Sequence, residues 1–391
     1  MPISVIPYIP QTITVHLAPA DQSAENVTVS FPDYIKNVAS SEIYPTWPEE
    51  ALRANILAQI SFALNRVYTE YYRSRGYDFD ITSSPVNDQK FIKGRSTFEN
   101  VDRLVDELFT SYIRRRGYVE PLSARFCNGT TVTCDGLSQW GSEALARQGY
   151  DAMEILRYYY GDDIELVTSA PVRDLTNSYP GYALRNGSSG EYVVVLQTML
   201  NRISRNYPAI PKINPVDGIF GPQTEQAVRE FQRIFNLNVD GVVGRATWYK
   251  LVFLYVGVTR LSELTSEGQT FTQIQAPASG VTLREGSRSP AVSALQFFIF
   301  VLGQVLYNFP TLNIDGIFGP KTRQAVMDAQ RYLGLEPTGI VDNQTWMALY
   351  DAYTRVARTL LADQVLPLTP EEIEQQVLSG QFPGYDLTYS S

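Results

Sequence analysis

Three carboxylates, Glu42, Glu49 and Glu50, sit close together around the turn Tyr44-Pro45-Thr46-Trp47-Pro48. A carboxyl group can act as general acid or base where its surroundings lift its pKa toward neutrality. Glu49 and Glu50 follow Pro48 and open a helical pattern, where acidic residues complement the helix dipole without any further role. Glu42 precedes the prolines and has no such reason to be there. The other reactive side chains are few. Cys127 and Cys134, in FCNGTTVTCD, can close a short disulfide loop, remain two thiols, or supply half of a structural zinc shell. The single histidine, His16, is remote in sequence from both cysteines, which disfavours zinc and also schemes that pair histidine with a Ser or Cys nucleophile. No cofactor is expected, with zinc as the alternative.

The elements that must position Glu42 follow from hydrophobic spacing. Leu52, Ile56, Ile60, Ala63, Leu64 and Val67 recur at three and four residues and predict a long amphipathic helix after Pro48. Phe98, Val101, Leu104, Val105, Leu108 and Tyr112 predict a second helix ended by Gly117. A third pattern runs from about Ser142, a candidate cap, to Tyr160, with a break at Gly149. Residues 1–30 alternate apolar and polar positions and read as one or two strands or an extended arm. Residues 168–181 are rich in Pro, Ser and Asn and read as a linker.

At 391 residues, with 44% hydrophobic and 19% charged residues, the chain is expected to hold two or three globular domains. A net charge of -9 argues against nucleic acid as a partner, since there is no basic surplus to displace counterions. No run approaches the roughly 18 apolar residues of a membrane span. Residues 1–20 lack the positive and apolar regions of a signal peptide. The 25 tyrosines suit carbohydrate platforms as well as core packing.

Beyond residue 182 the chain repeats itself. LRNGSSGEYVVVLQ is answered by LREGSRSPAVSALQ, DGIFGPQTEQAV by DGIFGPKTRQAV, and DGVVGRATWYKL by TGIVDNQTWMAL. In each copy a helix, with Val194 and Leu196 or Val292 and Leu295 facing in, precedes an Asp-Gly turn, a helix opened by Gly-Pro, and a helix opened by Thr-Trp. These repeats resemble the peptidoglycan-binding type 1 domain, a small three-helix module, over 182–264 and 281–356, with a linker at 265–280 and a tail at 357–391. The resemblance implies that Asp217, Phe220 and Thr224 in the first copy, and Asp315, Phe318 and Thr322 in the second, line a groove for glycan and stem peptide. Thr338 and Asp342 depart from the first copy's Asp240 and Gly244. Tethering two such modules raises the effective concentration of each on a polymer.

Residues 31–167 resemble the SpoIID/LytB domain through VASSEIYPTWPEEALRANILAQ, the Ser84–Gly94 segment with Gln89, Phe91 and Gly94, and DGLSQWGSEALARQGYDAMEILRYYYG. The expected fold is therefore multidomain and mainly α, an α+β SpoIID-like domain followed by two three-helix modules. The combination is similar to spore cortex-lytic enzymes of the SleC type, active in germination. The family includes lytic transglycosylases, which cleave the bond from N-acetylmuramic acid to N-acetylglucosamine without water and leave a 1,6-anhydro ring. The resemblance implies Glu42 as the acid/base, with Glu50 second. Its surroundings, Val38, Ala39, Tyr44 and Trp47, suit a raised pKa. Ser138 and Gln139 are expected either to bond sugar groups or to cap the following helix, and Tyr44, Trp47 and Trp140 to contact substrate or fill the core.

The same family includes amidase modifiers, so a wall-binding or amidase-modifying protein without catalysis is the alternative. The expected partners are peptidoglycan glycan strands and stem peptides, with no protein partner identified. The expected location is the spore cortex or outer spore layers, reached from the mother cell without a signal peptide, or otherwise the cell wall.

Overall fold

The computed structural model describes residues 7–269 save 190, 215 and 217, and residues 282–353 save 307, 308, 311, 313, 343, 347, 350 and 351. The tail at 357–391 and most of the linker at 265–280 lie outside the described residues. The chain divides into two compact units, residues 1–183 with 243–271, and residues 184–242 with 272–391.

The first unit begins with strands β1 (Ile9–Pro10), β2 (Thr12–His16) and β3 (Asn26–Ser30). β2 pairs antiparallel with β3 and parallel with β4 (Ile81–Thr82), and Ile9, Ile13 and Val15 are fully buried in the core. Ser30 ends β3 and caps helix α1 (Phe31–Glu42), its Oγ accepting from Asp33 N, with Pro32 in the first turn. Helix α2 (Glu49–Tyr68) starts at Pro48, as the sequence predicts, but it is not amphipathic: 17 of its 20 residues are buried. It is packed by α1 and by α3 (Glu99–Leu108), β5 (Tyr112–Arg115), α4 (Gln139–Arg147) and α5 (Ala152–Tyr160).

The polar side chains that α2 carries inward must each find a partner, because an unpaired buried polar group costs about 1–3 kcal/mol. Asn55 Nδ2 donates to Ser142 Oγ at 2.7 Å, Ser61 Oγ accepts from Ile113 N at 2.9 Å, and Asn65 Nδ2 donates to the Pro121 and Leu261 carbonyls. Arg66 Nε donates to Asp88 at 2.8 Å. Asp88 also accepts from Tyr72 OH, Thr82 N and Thr82 Oγ1, so both its oxygens are filled.

Two elements differ from the sequence reading. The second predicted helix stops at Leu108, and Tyr112 lies in β5, which pairs antiparallel with β8 (Ile164–Val167). Gly117 follows that strand, at φ 81°, rather than ending a helix. The third helical pattern starts earlier than Ser142, because Ser138 is the cap: its Oγ accepts from Gly141 N at 3.0 Å, and Ser142 is buried against Asn55. The break expected at Gly149 separates α4 from α5, which has a full capping box between Asp151 and Glu154. Between them in sequence and the earlier strands, β6 (Phe126–Cys127) and β7 (Leu137–Ser138) pair in parallel, and Cys127 and Cys134 are joined in a disulfide.

Segment 168–181 is held along its length despite its linker-like composition. β9 (Val172–Arg173) pairs with β1, Ala170 is buried, and Ser178 donates from both N and Oγ to the Glu70 carboxylate. The chain then passes through α6 (Glu191–Ser204) and α7 (Pro222–Ile234), and α8 (Arg245–Thr259) returns to the first unit. There Trp248 Nε1 donates to Ser178 Oγ at 2.9 Å, and Glu120 accepts from Gln269 N and Ser266 Oγ.

The second unit holds α6, α7, α9 (Pro290–Val305) and α10 (Pro320–Tyr332). Val193, not Val194, joins Leu196 in the interior, while Val292 and Leu295 face in as the spacing predicts. Each Gly-Pro start is formed as read, with Pro222 and Pro320 in the first turn of α7 and α10. A buried glutamine clamps each of four glycine turns. Gln197, Gln232, Gln296 and Gln330 accept through Oε1 from Gly218, Gly241, Gly316 and Gly339, at 2.8–2.9 Å. All four glycines have positive φ, from 68° to 72°, a conformation that costs other residues roughly 1 kcal/mol or more.

Two stability outcomes follow. Asp88→Ala strands the buried Arg66 guanidinium and is expected to cost about 3–5 kcal/mol in urea unfolding. Replacing both Cys127 and Cys134 by Ser opens a short loop and is expected to cost about 2.5 kcal/mol by loop entropy, read as a lower midpoint under non-reducing conditions.

Candidate active site

Glu42 is the last residue of α1, at the negative end of that helix. The helix exists because Phe31, Tyr34, Ile35, Val38 and Ala39 form a buried stripe at helical spacing, and it stops because Ile43 turns extended ahead of Pro45. Its carboxyl is held from three directions. Lys90 N donates to Oε1 at 2.7 Å, while Gln139 Nε2 and Gln59 Nε2 donate to Oε2 at 3.2 and 3.4 Å. Burial raises its pKa from 4.5 to about 7, against the opposing effect of those three hydrogen bonds and of the Lys90 charge. A group so tuned is close to half protonated at neutral pH and can give or take a proton with equal ease.

The loop that supplies Lys90 N is itself anchored. Tyr34 OH donates to Gln89 Oε1 at 2.8 Å, and Gln89 Nε2 donates to the Gln59 carbonyl at 2.9 Å. Asn37 grips Ile92 from both sides, donating to its carbonyl at 2.8 Å and accepting from its N at 2.9 Å. Asp88, one residue before Gln89, is fixed by Arg66. The carboxyl of Glu42 is therefore set by side chains from α1, α2, α4 and this loop together.

Beside it stands an aromatic wall. The rings of Tyr44, Trp47 and Trp140 are mutually in contact, with centroids 5.0–5.7 Å apart. Trp47 is buried at 7% exposure, whereas Tyr44 and Trp140 are 56% and 41% exposed and present ring surface to solvent. Large exposed rings next to a carboxyl of raised pKa make a surface on which a sugar ring can stack.

The remaining expected residues divide. Gln139 joins the site, and Ser138 is occupied as the cap of α4. Glu50 does not join: its Oε2 accepts from Ala152 N, at the start of α5, at 2.8 Å. Glu49 lies in an exposed ion-pair cluster with Arg53 and Arg103. His16 is stacked on Phe79 and bonded to Asn26 and the Gln22 carbonyl. The disulfide takes up both cysteines. Among the described residues, no three His, Cys, Asp or Glu side chains gather where they could hold a metal ion. No helix of the described residues is long and apolar enough to cross a membrane.

In the repeats, Asp217 lies outside the described residues. Phe220 and Phe318 are fully buried, and Thr224 and Thr322 are buried against Gln197 and Gln296. Those four side chains build the modules' interior and do not line a groove, because a clamped turn needs an apolar plug and a hydroxyl partner beneath it. Asp315 accepts from Gln296 Nε2 and Ile317 N and shapes its turn. The two departures in the second copy are accommodated. Thr338 Oγ1 takes over from Asp240 as partner of the clamping glutamine, and Asp342 caps the following helix by accepting from Thr345 N.

Sequence reasoning missed Gln59 and the Asn37 clamp. Polar residues at buried helical positions, Gln59 on α2 and Asn37 on α1, were the available signal, and Gln59 was hidden because α2 was read as having a solvent face.

The sequence profile of the family described as "Stage II sporulation protein" matches residues 21–109, and that of "Putative peptidoglycan binding domain" matches residues 189–251 and 301–349. Among curated proteins, the chain is similar to N-acetylmuramoyl-L-alanine amidase CwlM of Mycobacterium tuberculosis (strain ATCC 25618 / H37Rv). The two are 34% identical over 139 residues, 36% of this chain and 29% of that protein. It is also similar to N-acetylmuramoyl-L-alanine amidase CwlL of Bacillus licheniformis, 25% identical over 324 residues, 80% of this chain and 83% of that one. A solved structure, the SleB N-terminal domain, is 35% identical over 20% of this chain and 99% of its own, with a TM-score of 0.18. The chain spans less than half the length of the first curated relatives. It carries a SpoIID domain with Glu42 inside the matched segment, and peptidoglycan-binding type 1 domains after it.

Proposed function

We propose that the protein is a peptidoglycan lytic transglycosylase, acting on spore cortex and held to it by its two wall-binding modules, with Glu42 as the acid and base. The observation that carries this reading is a single carboxyl of pKa about 7, oriented by three donors and flanked by exposed rings. The SpoIID and peptidoglycan-binding matches support a peptidoglycan strand as the polymer that meets Glu42.

In this mechanism the protonated Glu42 gives its proton to the glycosidic oxygen between the muramic C1 and the glucosamine O4. The C1–O4 bond breaks as charge develops on the anomeric carbon. The muramic C6 hydroxyl then closes on C1, and its proton passes to the Glu42 carboxylate, which restores the acid. No water enters and no second carboxylate is needed. Lys90 N and the amides of Gln59 and Gln139 stabilise the carboxylate between the two transfers, while Tyr44 and Trp140 hold a sugar ring against displacement.

The names of the relatives support a second reading, cleavage of the bond between the lactyl group and the stem peptide. Product analysis separates the two. Cortex digested by the wild-type chain is expected to yield 1,6-anhydro-muramic ends, and Glu42→Gln to lower their rate of formation by at least about a hundredfold. Free stem peptides without anhydro ends would support the amidase reading, and no soluble product of either kind would support a binding protein.

The pKa of Glu42 makes a further pair of predictions. kcat/KM is expected to fall above pH about 7, as the acid form is lost. For stability, the folded pKa lies above the ordinary 4.5, so between 4.5 and about 7 the unfolded chain releases a proton that the folded chain keeps. This contribution therefore falls as pH rises through that window, by about 3 kcal/mol in all. Glu42→Gln does not titrate, so urea unfolding of the two proteins is expected to diverge by about that amount in favour of the variant between pH 4 and pH 8.

A further inference from the structure

Gln139, which donates to Glu42, and Trp140, which completes the aromatic wall, open α4, and the disulfide loop is fastened to that opening. β6 pairs with β7 so that Cys127 lies opposite Ser138, the cap of α4. One residue on, the Asn128 carbonyl accepts from Trp140 N at 3.2 Å. Gly129 follows at φ 78° and lies so close to the cap that a methyl carbon added to it would stand 1.8 Å from Ser138 Oγ. Three successive loop residues therefore bear on the first turn of the helix that presents Gln139 and Trp140.

Asn128 also shapes the loop itself. Its Oδ1 accepts from Thr130 N, Thr131 N and Val132 N, each at 3.0 Å, and its Nδ2 donates to Thr131 Oγ1, while Gly129 N donates to the Val132 carbonyl at 2.9 Å. Beyond Gly129 the loop has no core to rest on, since residues 130–135 are all exposed, Val132 among them. Its return leg is fixed by the disulfide, and the exposure of Cys134 admits an external thiol to that bond. Cys127 and Cys134 are the chain's two cysteines, so a thiol reagent has one target. With a dithiol, one thiolate attacks Cys134 Sγ, the S–S bond breaks and Cys127 leaves as a thiolate. The second thiolate of the reagent then attacks the mixed disulfide and frees Cys134. The reagent gives up two electrons and two protons and ends as a cyclic disulfide, and the protein takes them and ends with two thiols.

We propose that the disulfide loop, with Asn128 as its positioning residue, holds Trp140 in the aromatic wall, so that the protein grips a glycan strand well with the disulfide closed and poorly with it reduced. This rests on the reading that a sugar ring stacks on that wall beside Glu42. With the bond open, the exposed return leg is released, the turn that Asn128 closes loses its tie, and the Asn128 carbonyl no longer stays on Trp140 N. The ring of Trp140 then samples orientations that do not face a bound sugar, and ordering it again on binding weakens the grip.

The test uses the full chain, a soluble peptidoglycan strand as substrate and dithiothreitol as reductant. Reduction of the wild-type chain is expected to raise KM about five- to tenfold and to lower kcat by no more than about threefold. Asn128→Ala, with its disulfide intact, is expected to show the raised KM before any reductant is added. Asn128→Asp keeps the acceptor for the three loop amides and is expected to stay near wild type. The double replacement of Cys127 and Cys134 by Ser should have the raised KM and not respond to dithiothreitol. Hydrogen exchange gives a readout apart from cleavage: the Trp140 amide is expected to exchange about tenfold faster after reduction and in Asn128→Ala, with exchange in α2 unchanged. Unchanged KM and unchanged Trp140 exchange on reduction would overturn the proposal. So would a fall in kcat alone, or faster exchange in α2 and at Trp140 alike, since either marks a general loss of folded protein. If no strand is cleaved in either redox state, the cleavage reading fails by itself. Exchange then decides the loop's role: a Trp140 amide that depends on the disulfide and on Asn128 upholds it, and one that depends on neither refutes it.

Discussion

The first unit depends on one constraint, that α2 is buried on all sides and yet carries polar groups. A helix wholly inside a protein would ordinarily be apolar all round. Here Asn55, Gln59, Ser61, Asn65 and Arg66 are buried with it, and each draws in a different segment. Asn55 binds Ser142 of α4, Ser61 binds the start of β5, Asn65 the Pro121 and Leu261 carbonyls, and Arg66 the loop at Asp88. Hydrogen bonding, rather than a closed sheet, thus assembles a unit whose sheets have only two or three strands.

Gln59 links that constraint to the chemistry. Its carbonyl accepts from Gln89 while its side-chain amide faces Glu42, so the residue that fills the interior of α2 also orders the site. Glu42 stands where burial and the negative end of α1 both disfavour its charge, and three donors keep that disfavour moderate. Fewer donors would leave a permanently neutral acid, and a nearby guanidinium in contact would leave a permanently ionised one. The balance at about 7 suits a group that must act in both directions.

Much of this was legible in the sequence, and the exceptions have physical causes. Pro48 and the acidic pair after it marked the start of α2, and the repeated Asp-Gly and Gly-Pro signals marked turns and helix starts that formed as read. Glu42 stood out because no helix start explained it, and the amide of Gln139 and the ring of Trp140 do lie beside it or its aromatic neighbours. Tyr112 misled because a helical spacing continued by chance into a strand whose pairing partner, β8, lies some fifty residues away. Phe220, Thr224, Phe318 and Thr322 misled because a residue fixed by its turn looks in sequence like one fixed by a ligand. The glutamine clamps could be seen only in three dimensions, since each joins one helix to a glycine turn well along the chain.

The central claim is that one carboxyl acts twice and that the nucleophile is the substrate's own hydroxyl, not water. The most direct measurement is digestion of cortex peptidoglycan in water enriched in oxygen-18, with mass spectrometry of the released fragments. The account predicts anhydro-muramic ends that carry no label. Labelled reducing ends, or label at the released carboxyl of a muramic lactyl group, would contradict it.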